Sequence, residues 1–403
     1  MYKRQKLYGA SVVLGSATPS LEAYYRAGRG EYRLLQLTKR LTGGELPTVY
    51  TVDLRQELQE GNRSIFSRKL QELMTDRLNK GQQTILFLNR RGYAGFVSCR
   101  SCGEVMKCPH CDVSLSEHKG GRLICHYCGY TQPMPKLCPK CGSKYILGFK
   151  AGTQQIEEKL KELYPGVRTL RMDADTTRTK DSYEKILSSF ANGEADVLIG
   201  TQMIVKGHDF PKVTLVGILA ADLSLNASDY RAGERTFQLL TQAVGRAGRG
   251  VLPGEAVIQT YQPDHYAITC AAAQDYESFY QEEILYRELS GYPPVAHMLA
   301  VQIYGKEEEN VKQLALRLTD VVKSNMDFLS GKQKEQSNKK IQVLGPAPAN
   351  ISKINDIYRY VFYVKHAEYD VLVEVKDRLE ETLRQWQPRQ MSIQFDFDPV
   401  SVL

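Results

Sequence analysis

Eight of the nine cysteines in this 403-residue chain fall in four C-x-x-C pairs within 43 residues: Cys99/Cys102, Cys108/Cys111, Cys125/Cys128 and Cys138/Cys141. A C-x-x-C knuckle sets two thiolates on one side of a tight turn, and two knuckles complete a tetrahedral shell for Zn²⁺. In three pairs the second cysteine is followed by glycine (Gly103, Gly129, Gly142), as a knuckle that needs φ > 0 requires. The pattern predicts two Cys₄ zinc sites, with disulfides and iron–sulfur clusters as the rival uses of the same residues. Five residues separate Cys102 from Cys108, which is short for a fold-back, whereas thirteen separate Cys111 from Cys125, a usual zinc-ribbon spacing. The expected arrangement is therefore nested. Cys108, Cys111, Cys125 and Cys128 hold one metal, and Cys99, Cys102, Cys138 and Cys141 close around the other. His110 and His126 lie inside knuckles that already supply two thiolates, and are expected to face solvent or to support ligands.

Between Cys99 and Cys141 there are six Lys/Arg and three acids, so two Zn²⁺ on eight thiolates bring the element to a net −1. That balance predicts a rigid knob presented to a partner or a duplex junction, not a basic grip on DNA. With no secretory signal and an unpaired Cys270, the expected setting is a reducing cytoplasm.

The elements that must position this knob are α/β. Short β-branched runs occur at Val49–Leu54, Thr84–Leu88, Val167–Met172, Asp196–Thr201, Val213–Ala220 and Ala256–Tyr261. Several are continuous, as in parallel strands buried on both faces. Helical patterns intervene from a Ser67 N-cap to Lys80, and over Gln155–Leu163, Asp181–Asn192 and Thr236–Val244. The alternation predicts a parallel sheet wrapped by helices, from which the cysteine element emerges as an insertion. One long helix is expected over Asp264–Leu289, stopped by Gly291-Tyr-Pro-Pro294, and Glu283–Leu403 reads as a small α+β domain. Its expected elements are Met298–Tyr304, Val311–Phe328, Gln342–Leu344, Arg359–Val364, Val371–Gln385 and Ser392–Phe397. No apolar run approaches the ~20 residues of a membrane helix. The net charge of +7 and pI near 8.8 lean toward a polyanionic partner.

Two further strings could do chemistry. Gly200-Thr-Gln-Met-Ile-Val-Lys-Gly-His-Asp209 follows a buried strand, and Gln242-Ala-Val-Gly-Arg-Ala-Gly-Arg249 ends a helix. Arg246 and Arg249, three apart on one helical turn, would face the same way. Two such guanidiniums suit a nucleotide phosphate, because positioned arginine stabilises the charge that develops in phosphoryl transfer. Surface arginines beside a Gly-rich turn are the bland alternative.

These strings match motifs V and VI of superfamily 2 helicases. Leu14-Gly-Ser-Ala-Thr-Pro-Ser20 matches their motif III, and Phe87-Leu-Asn-Arg-Arg-Gly-Tyr-Ala94 resembles their motif IV. With the cysteine pattern placed after motif IV, the chain resembles the bacterial primosomal protein N′ (PriA) family, the replication-restart DNA helicases. Gly345-Pro-Ala-Pro-Ala349, Lys353, Tyr358-Arg-Tyr360 and Asp398-Pro-Val resemble the family's C-terminal domain.

The resemblance implies a RecA-like second lobe in which Arg249 is the arginine finger, Arg246 its neighbour on the same phosphate, and Gln242 the link to lobe closure. Gly207 and Asp209 would border the nucleotide, Thr201 would contact the DNA backbone, and Ser16 and Thr18 would link hydrolysis to DNA movement. The family unwinds DNA 3′→5′ at forks and D-loops in the bacterial cytoplasm, at the nucleoid, with primosome proteins and single-stranded DNA-binding protein as partners. Lys353 and Arg359 beside Tyr358 and Tyr360 make a basic and aromatic mix suited to single-stranded bases. Packing of those tyrosines in the domain core is the competing expectation.

Neither G-x-x-x-x-G-K-[ST] nor a Mg²⁺-binding acidic pair occurs in the chain. The expectation is a carboxy-terminal portion lacking most of helicase lobe 1. Its parts would be 1–30 (remnant of lobe 1), 31–98 and 148–282 (lobe 2), 99–147 (zinc insertion) and 283–403 (C-terminal domain). Val12–Gly15 should be the last strand of a sheet whose partners are missing, leaving residues up to about Gly30 poorly packed. Two functions follow. One is an ATP-dependent DNA helicase that needs ATP and Mg²⁺ when complete and is inactive as this portion. The other is a non-enzymatic zinc-bearing platform for DNA and protein.

Overall fold

The structure, a computed structural model, describes residues 7–37, 46–88, 97–110, 114–118, 121–125, 128–148, 152–173, 176–177, 180–205, 210–226, 229–324 and 340–400. In chain order, α1 (Leu21–Gly28) precedes β1 (Thr48–Asp53), α2 (Leu54–Gln59), α3 (Arg68–Asn79) and β2 (Gln83–Leu88). The cysteine element contributes β3 (Val97–Cys99), β4 (Ser116–His118), β5 (Arg122–Ile124), β6 (Thr131–Pro133) and β7 (Ile146–Gly148). Then come α4 (Thr153–Leu163), β8 (Thr169–Met172), α5 (Lys180–Ala191), β9 (Val197–Gly200), β10 (Val213–Leu219), α6 (Asp222–Leu225), α7 (Ala232–Val244) and β11 (Glu255–Thr260). After α8 (Tyr266–Ala273) and α9 (Tyr276–Ser290) the chain forms β12 (His297–Gly305), α10 (Glu308–Ser324), β13 (Gln342–Ile354), β14 (Ile357–His366), α11 (Tyr369–Trp386) and β15 (Met391–Phe397).

Six strands pair in the order β1-β11-β10-β2-β9-β8, every pair parallel. Every residue of β2, β9 and β10 is buried, which is why these strands read as unbroken apolar runs. One face packs Ile85, Phe87 and Val216 against Phe190 of α5, Phe237 of α7 and Ile268 of α8. The other packs Leu86, Ile199 and Leu215 against Leu70 and Met74 of α3 and Leu160 of α4. The expected boundaries hold to within two residues except at α7, which starts at Ala232, four residues before the expected Thr236. Ser67 Oγ accepts the Leu70 N–H at 3.3 Å as the N-cap of α3, and Gly81 leaves that helix at φ +64°.

The second sheet is antiparallel, ordered β13-β14-β12-β15, with α10 and α11 against one face. The sequence order strand–helix–strand–strand–helix–strand makes it a split βαβ unit. Here β13 is far longer than the expected Gln342–Leu344, and Pro346 and Pro348 are tolerated because it is an edge strand.

Two expectations are corrected. Asp264–Leu289 is two helices, because Gln274 adopts the left-handed region at φ +54° and Asp275 starts α9 by accepting the Ser278 N–H at 3.0 Å. Val12–Gly15 is not a strand, and Val13 is 88 % and Leu14 52 % exposed. The expectation of loose packing up to Gly30 fails only in part, because Gly28, Arg29 and Gly30 are exposed while the chain from Thr18 to Tyr25 is anchored. Thr18 and Leu21 are buried, and Tyr24 sits edge-on to Tyr276 and Tyr280 at 5.1 and 4.6 Å. The helix after Ser20 finds its partner surface on α7 and α9.

His265 caps α8, its Nδ1 accepting the Ala267 N–H at 3.2 Å. Loss of hydration, with Lys107 adding to it, lowers the imidazole pKa to about 4. The unfolded chain takes up this proton below about pH 6.5 and the folded chain only near pH 4. The stability is therefore complete above pH 6.5 and declines as the pH falls through that window. Urea unfolding should show a loss of up to about 3 kcal/mol across it. His265→Asn, which retains a capping side chain, should flatten that part of the profile.

Candidate functional site

The sulfurs assemble in the nested pattern. Cys99, Cys102, Cys138 and Cys141 form one cluster and Cys108, Cys125 and Cys128 the other, the ligand atoms of each lying within 4.8 Å of one another. Cys111 lies outside the described residues. Sulfur separations are 3.6 Å for Cys99–Cys141 and Cys102–Cys138, and 3.5 Å for Cys108–Cys128. These are far longer than a disulfide and close to the ~3.8 Å edge of a tetrahedron with Zn–S of about 2.3 Å. The clusters are too tight to enclose a multi-iron core. The backbone reason is local: Gly103, Gly129 and Gly142 all have φ between +70° and +78°, and each closes its knuckle by donating to the carbonyl of the first cysteine. Burial, then the neighbouring sulfurs, push the Cys102 and Cys108 thiols up to about 12. Cys99 goes the other way, to about 7, because N–H groups of Cys102 and Ser101 outweigh its burial. A cation at the centre of each cluster would remove the mutual repulsion and favour the thiolates. His110 is exposed, edge-on to Tyr130 at 5.5 Å and in neither cluster; His126 lies outside the described residues.

The element does not stand clear of its own chain but is wedged into it. On the outer cluster, a Cβ at Gly103 would stand 2.5 Å from the Tyr261 carbonyl oxygen. Arg100, in the same knuckle, donates to the Tyr261 hydroxyl at 2.7 Å. Arg55, paired with Asp53 at 2.6 Å, reaches the Cys102 carbonyl at 3.5 Å. This cluster thus rests on the carboxyl ends of β1 and β11. Gly129, on the inner cluster, faces the second sheet, where a Cβ would meet the Pro346 carbonyl oxygen at 3.3 Å. Between them Val97, Met106, Leu115, Leu123 and Ile146 share one core with Tyr230, Tyr292, Met298, Val361 and Tyr363.

The arginine string lies at the other edge of the parallel sheet. α7 ends at Val244, and Arg246 and Arg249 follow in a tight turn that reverses at Gly248, φ +68°. They do not share a helical turn, which corrects the i, i+3 reading. Gly248 N–H donates to Val213 O at 3.0 Å, and a Cβ at Gly250 would meet the Pro211 carbonyl oxygen at 2.5 Å. The turn is therefore pressed onto the amino end of β10. Arg249 is exposed, its Nε donating to Gly245 O at 2.7 Å, and Arg246 is half-buried. One turn earlier, Gln242 Nε2 donates to Thr18 Oγ1 at 3.4 Å, and Thr18 N–H to Ser16 Oγ at 3.1 Å. Gly207 and Asp209 lie outside the described residues, two to four positions before Pro211. Thr201 is at the opposite edge, following β9, its N–H 3.4 Å from Met172 O.

In the second domain Lys353 pairs with Asp356 at 2.8 Å and lies 4.8 Å over the Tyr358 ring. Tyr360, 9 % exposed, packs among α10 and α11, and Arg359, also 9 % exposed, lies against Tyr304. Of these four, Lys353 and Tyr358 keep the most surface. Sequence reading passed over Asp229-Tyr-Arg-Ala-Gly-Glu-Arg235, where Arg231 pairs with Glu22 at 2.6 Å, Arg235 with Asp229 at 2.6 Å, and Glu234 with Arg287 at 3.1 Å. Four charges in seven residues at the start of a buried helix were the available signal.

Residues 288–400 match the primosomal protein N C-terminal domain family, 108–133 the PriA DNA helicase Cys-rich region domain, and 137–251 the helicase conserved C-terminal domain. The replication restart protein PriA of Bacillus subtilis (strain 168) is 44 % identical over 403 residues, covering 100 % of this chain and 49 % of its own length. Those of Synechocystis sp. (strain ATCC 27184 / PCC 6803 / Kazusa) and Chlamydia pneumoniae are 41 % and 40 % identical, each over 99 % of this chain and 47 % and 52 % of their own lengths. The chain spans about half the length of the curated relatives it matches.

Elemental analysis should return two zinc ions per chain, with Cys108→Ser and Cys128→Ser releasing the same ion and Cys141→Ser the other. Gly142→Ala, where a Cβ meets open space at φ +70°, should cost only the left-handed backbone strain, about 1–2 kcal/mol. Gly103→Ala adds the collision with Tyr261 and should cost more, measured by thermal unfolding.

Proposed function

Since the chain belongs to the PriA family of replication restart proteins, we propose that it is the second motor lobe, zinc element and C-terminal domain of an ATP-dependent 3′→5′ DNA helicase acting at forks and D-loops. The observation that carries this reading is the use of both edges of one parallel sheet. The amino edge holds Arg246 and Arg249 beside Gln242 and Thr18, and the carboxyl edge holds Thr201 and the outer cysteine cluster. A first lobe facing the amino edge would bring ATP and Mg²⁺ to Arg249 as the finger on the γ-phosphate, with Arg246 on the same phosphate. Gly207 and Asp209 would border that nucleotide. Strand-end loops at the carboxyl edge are the usual ligand-binding side of such sheets, and there DNA would run past Thr201, with Lys353 on the second domain as a further contact. Two Zn²⁺ on the eight cysteines would fix the element that joins these parts. Forked or single-stranded DNA, single-stranded DNA-binding protein and other primosome proteins are the proposed partners.

A second reading applies to these residues by themselves. The 403 residues carry arginines for a phosphate but no phosphate loop, so alone they favour a zinc-bearing platform that binds DNA and protein without turnover. The test is a pair of assays. The chain by itself should show no DNA-stimulated ATP hydrolysis, and its DNA binding should weaken steeply with salt, as counterion release requires. Joined to a phosphate-loop lobe, it should hydrolyse ATP in response to DNA, and Arg249→Ala should reduce that rate by ~10³-fold or more. Wild-type turnover in Arg249→Ala would overturn the finger assignment.

A further inference from the structure

Residues 18–22 form a strap laid along α7 and held at four points. Gln242 donates to Thr18 Oγ1 at 3.4 Å, and Tyr276 Oη to Pro19 O at 3.0 Å. Glu234 Oε1 accepts the Leu21 N–H at 3.0 Å, and Arg231 pairs with Glu22 at 2.6 Å. Glu234 and Gln242 are eight residues apart on α7, about 12 Å. The strap therefore runs from the arginine edge of the sheet toward its carboxyl edge.

Glu234 is the demanding member of this set. Its side chain is 5 % exposed, and its two oxygens do different work. One accepts the first N–H of α1, an orphan donor at the positive end of a helix. The other accepts Arg287 Nη2 at 3.1 Å. Arg287 is fully buried and is fixed in turn by Glu283 Oε1 at 2.8 Å and Pro293 O at 2.8 Å. The close approach needs Gly233, where a Cβ would fall 2.6 Å from Glu283 Oε2. The carboxylate cannot swing without releasing either the strap or the guanidinium.

We propose that Glu234 is a positioning residue that sets the register of the Thr18–Glu22 strap on α7 and thereby couples Thr18 and Gln242 to DNA movement, an inference that rests on the helicase reading. Glutamine at this position has one acceptor and one donor end, so it opposes either the Leu21 N–H or Arg287 with a second donor. Glu234→Gln therefore loosens the strap while nearly preserving volume. Tyr276→Phe loosens it independently, losing only the hydroxyl at Pro19, and keeps the test open if Glu234→Gln fails to fold.

Two measurements decide the matter. In the 403-residue chain, hydrogen exchange at Leu21–Tyr24 should quicken about tenfold in each variant while β10 stays protected. In a chain joined to a phosphate-loop lobe, the KM for ATP and the DNA-stimulated kcat should stay at wild-type values while base pairs unwound per ATP fall about fivefold or more. Faster strap exchange with wild-type unwinding per ATP makes Glu234 merely structural and overturns the inference, leaving the helicase reading intact. Wild-type protein that hydrolyses ATP without regard to DNA and unwinds nothing refutes the helicase reading, and this inference with it.

Discussion

The cysteine clusters supply what the residues between Val97 and Gly148 lack, a core of their own. About fifty residues with so few large apolar side chains bury too little surface to fold unaided. In their place the sulfurs of Cys99, Cys108, Cys125 and Cys138 sit in the interior, and the remaining apolar residues are shared with neighbours. The element is thin, and so both of its faces are interfaces. Gly103 admits the Tyr261 carbonyl on one side and Gly129 the Pro346 carbonyl on the other. The second sheet depends on this arrangement too. Along β14, Tyr360, Phe362 and Val364 pack toward α10 and α11, while Val361 and Tyr363 pack toward the cysteine element. Alternate residues of one strand thus serve two different layers. An isolated second domain would leave the Val361–Tyr363 face open to water.

The junction with the parallel-sheet lobe is aromatic and charged. Tyr230 and Tyr292 stack at 4.6 Å with an interplanar angle of 7°, Arg287 lies over one ring at 4.8 Å and Lys365 over the other at 4.2 Å. Arg287 carries its charge in the interior with Glu283 and Glu234, and burial raises the Glu234 pKa despite the guanidinium. Such a triad gains little net stability over an apolar replacement, yet removing one member strands the others without compensation. Its value lies in geometry, because directed hydrogen bonds from Arg287 tie α9 to Glu234 of α7 and to the Pro293 carbonyl.

Much of this was legible in the sequence, for physical reasons that differ by element. Strands buried on both faces must be apolar throughout, so β2, β9 and β10 appeared as continuous runs, and all six parallel strands had nearly correct ends. The nesting of the cysteine pairs followed from loop length, and three knuckles required φ > 0 where glycine stands. The misreadings have different causes. Gln274 is left-handed without being Gly or Asn, so the break between α8 and α9 left no mark. Gly248 reverses the chain inside Gly-Arg-Ala-Gly-Arg, which separates arginines that a helical turn would have aligned. The prolines of β13 concealed a strand that survives only because it is an edge. The docking of the cysteine element was invisible for another reason: Gly103 and Gly129 have the same local task, and only the three-dimensional packing shows that they also admit neighbours.

The segment from Asp229 to Arg235 draws these parts together. Arg231 binds Glu22 in the strap that follows Thr18, and Glu234 holds the first amide of α1. Arg235 donates to the Val400 carbonyl at 2.5 Å, at the far end of the second domain, and Tyr230 stacks in the core shared with the cysteine element. Seven residues thus contact the strap, the second domain and the cysteine element, and they open the helix that ends beside Arg246. A rotation of α7 large enough to shift Gln242 would move Glu234 by a comparable amount, because a packed helix moves as a rigid rod. Since these neighbours are held there by the Arg231–Glu22 pair, the Arg235–Val400 hydrogen bond and the core around Tyr230, such a rotation must break contacts or carry all three along.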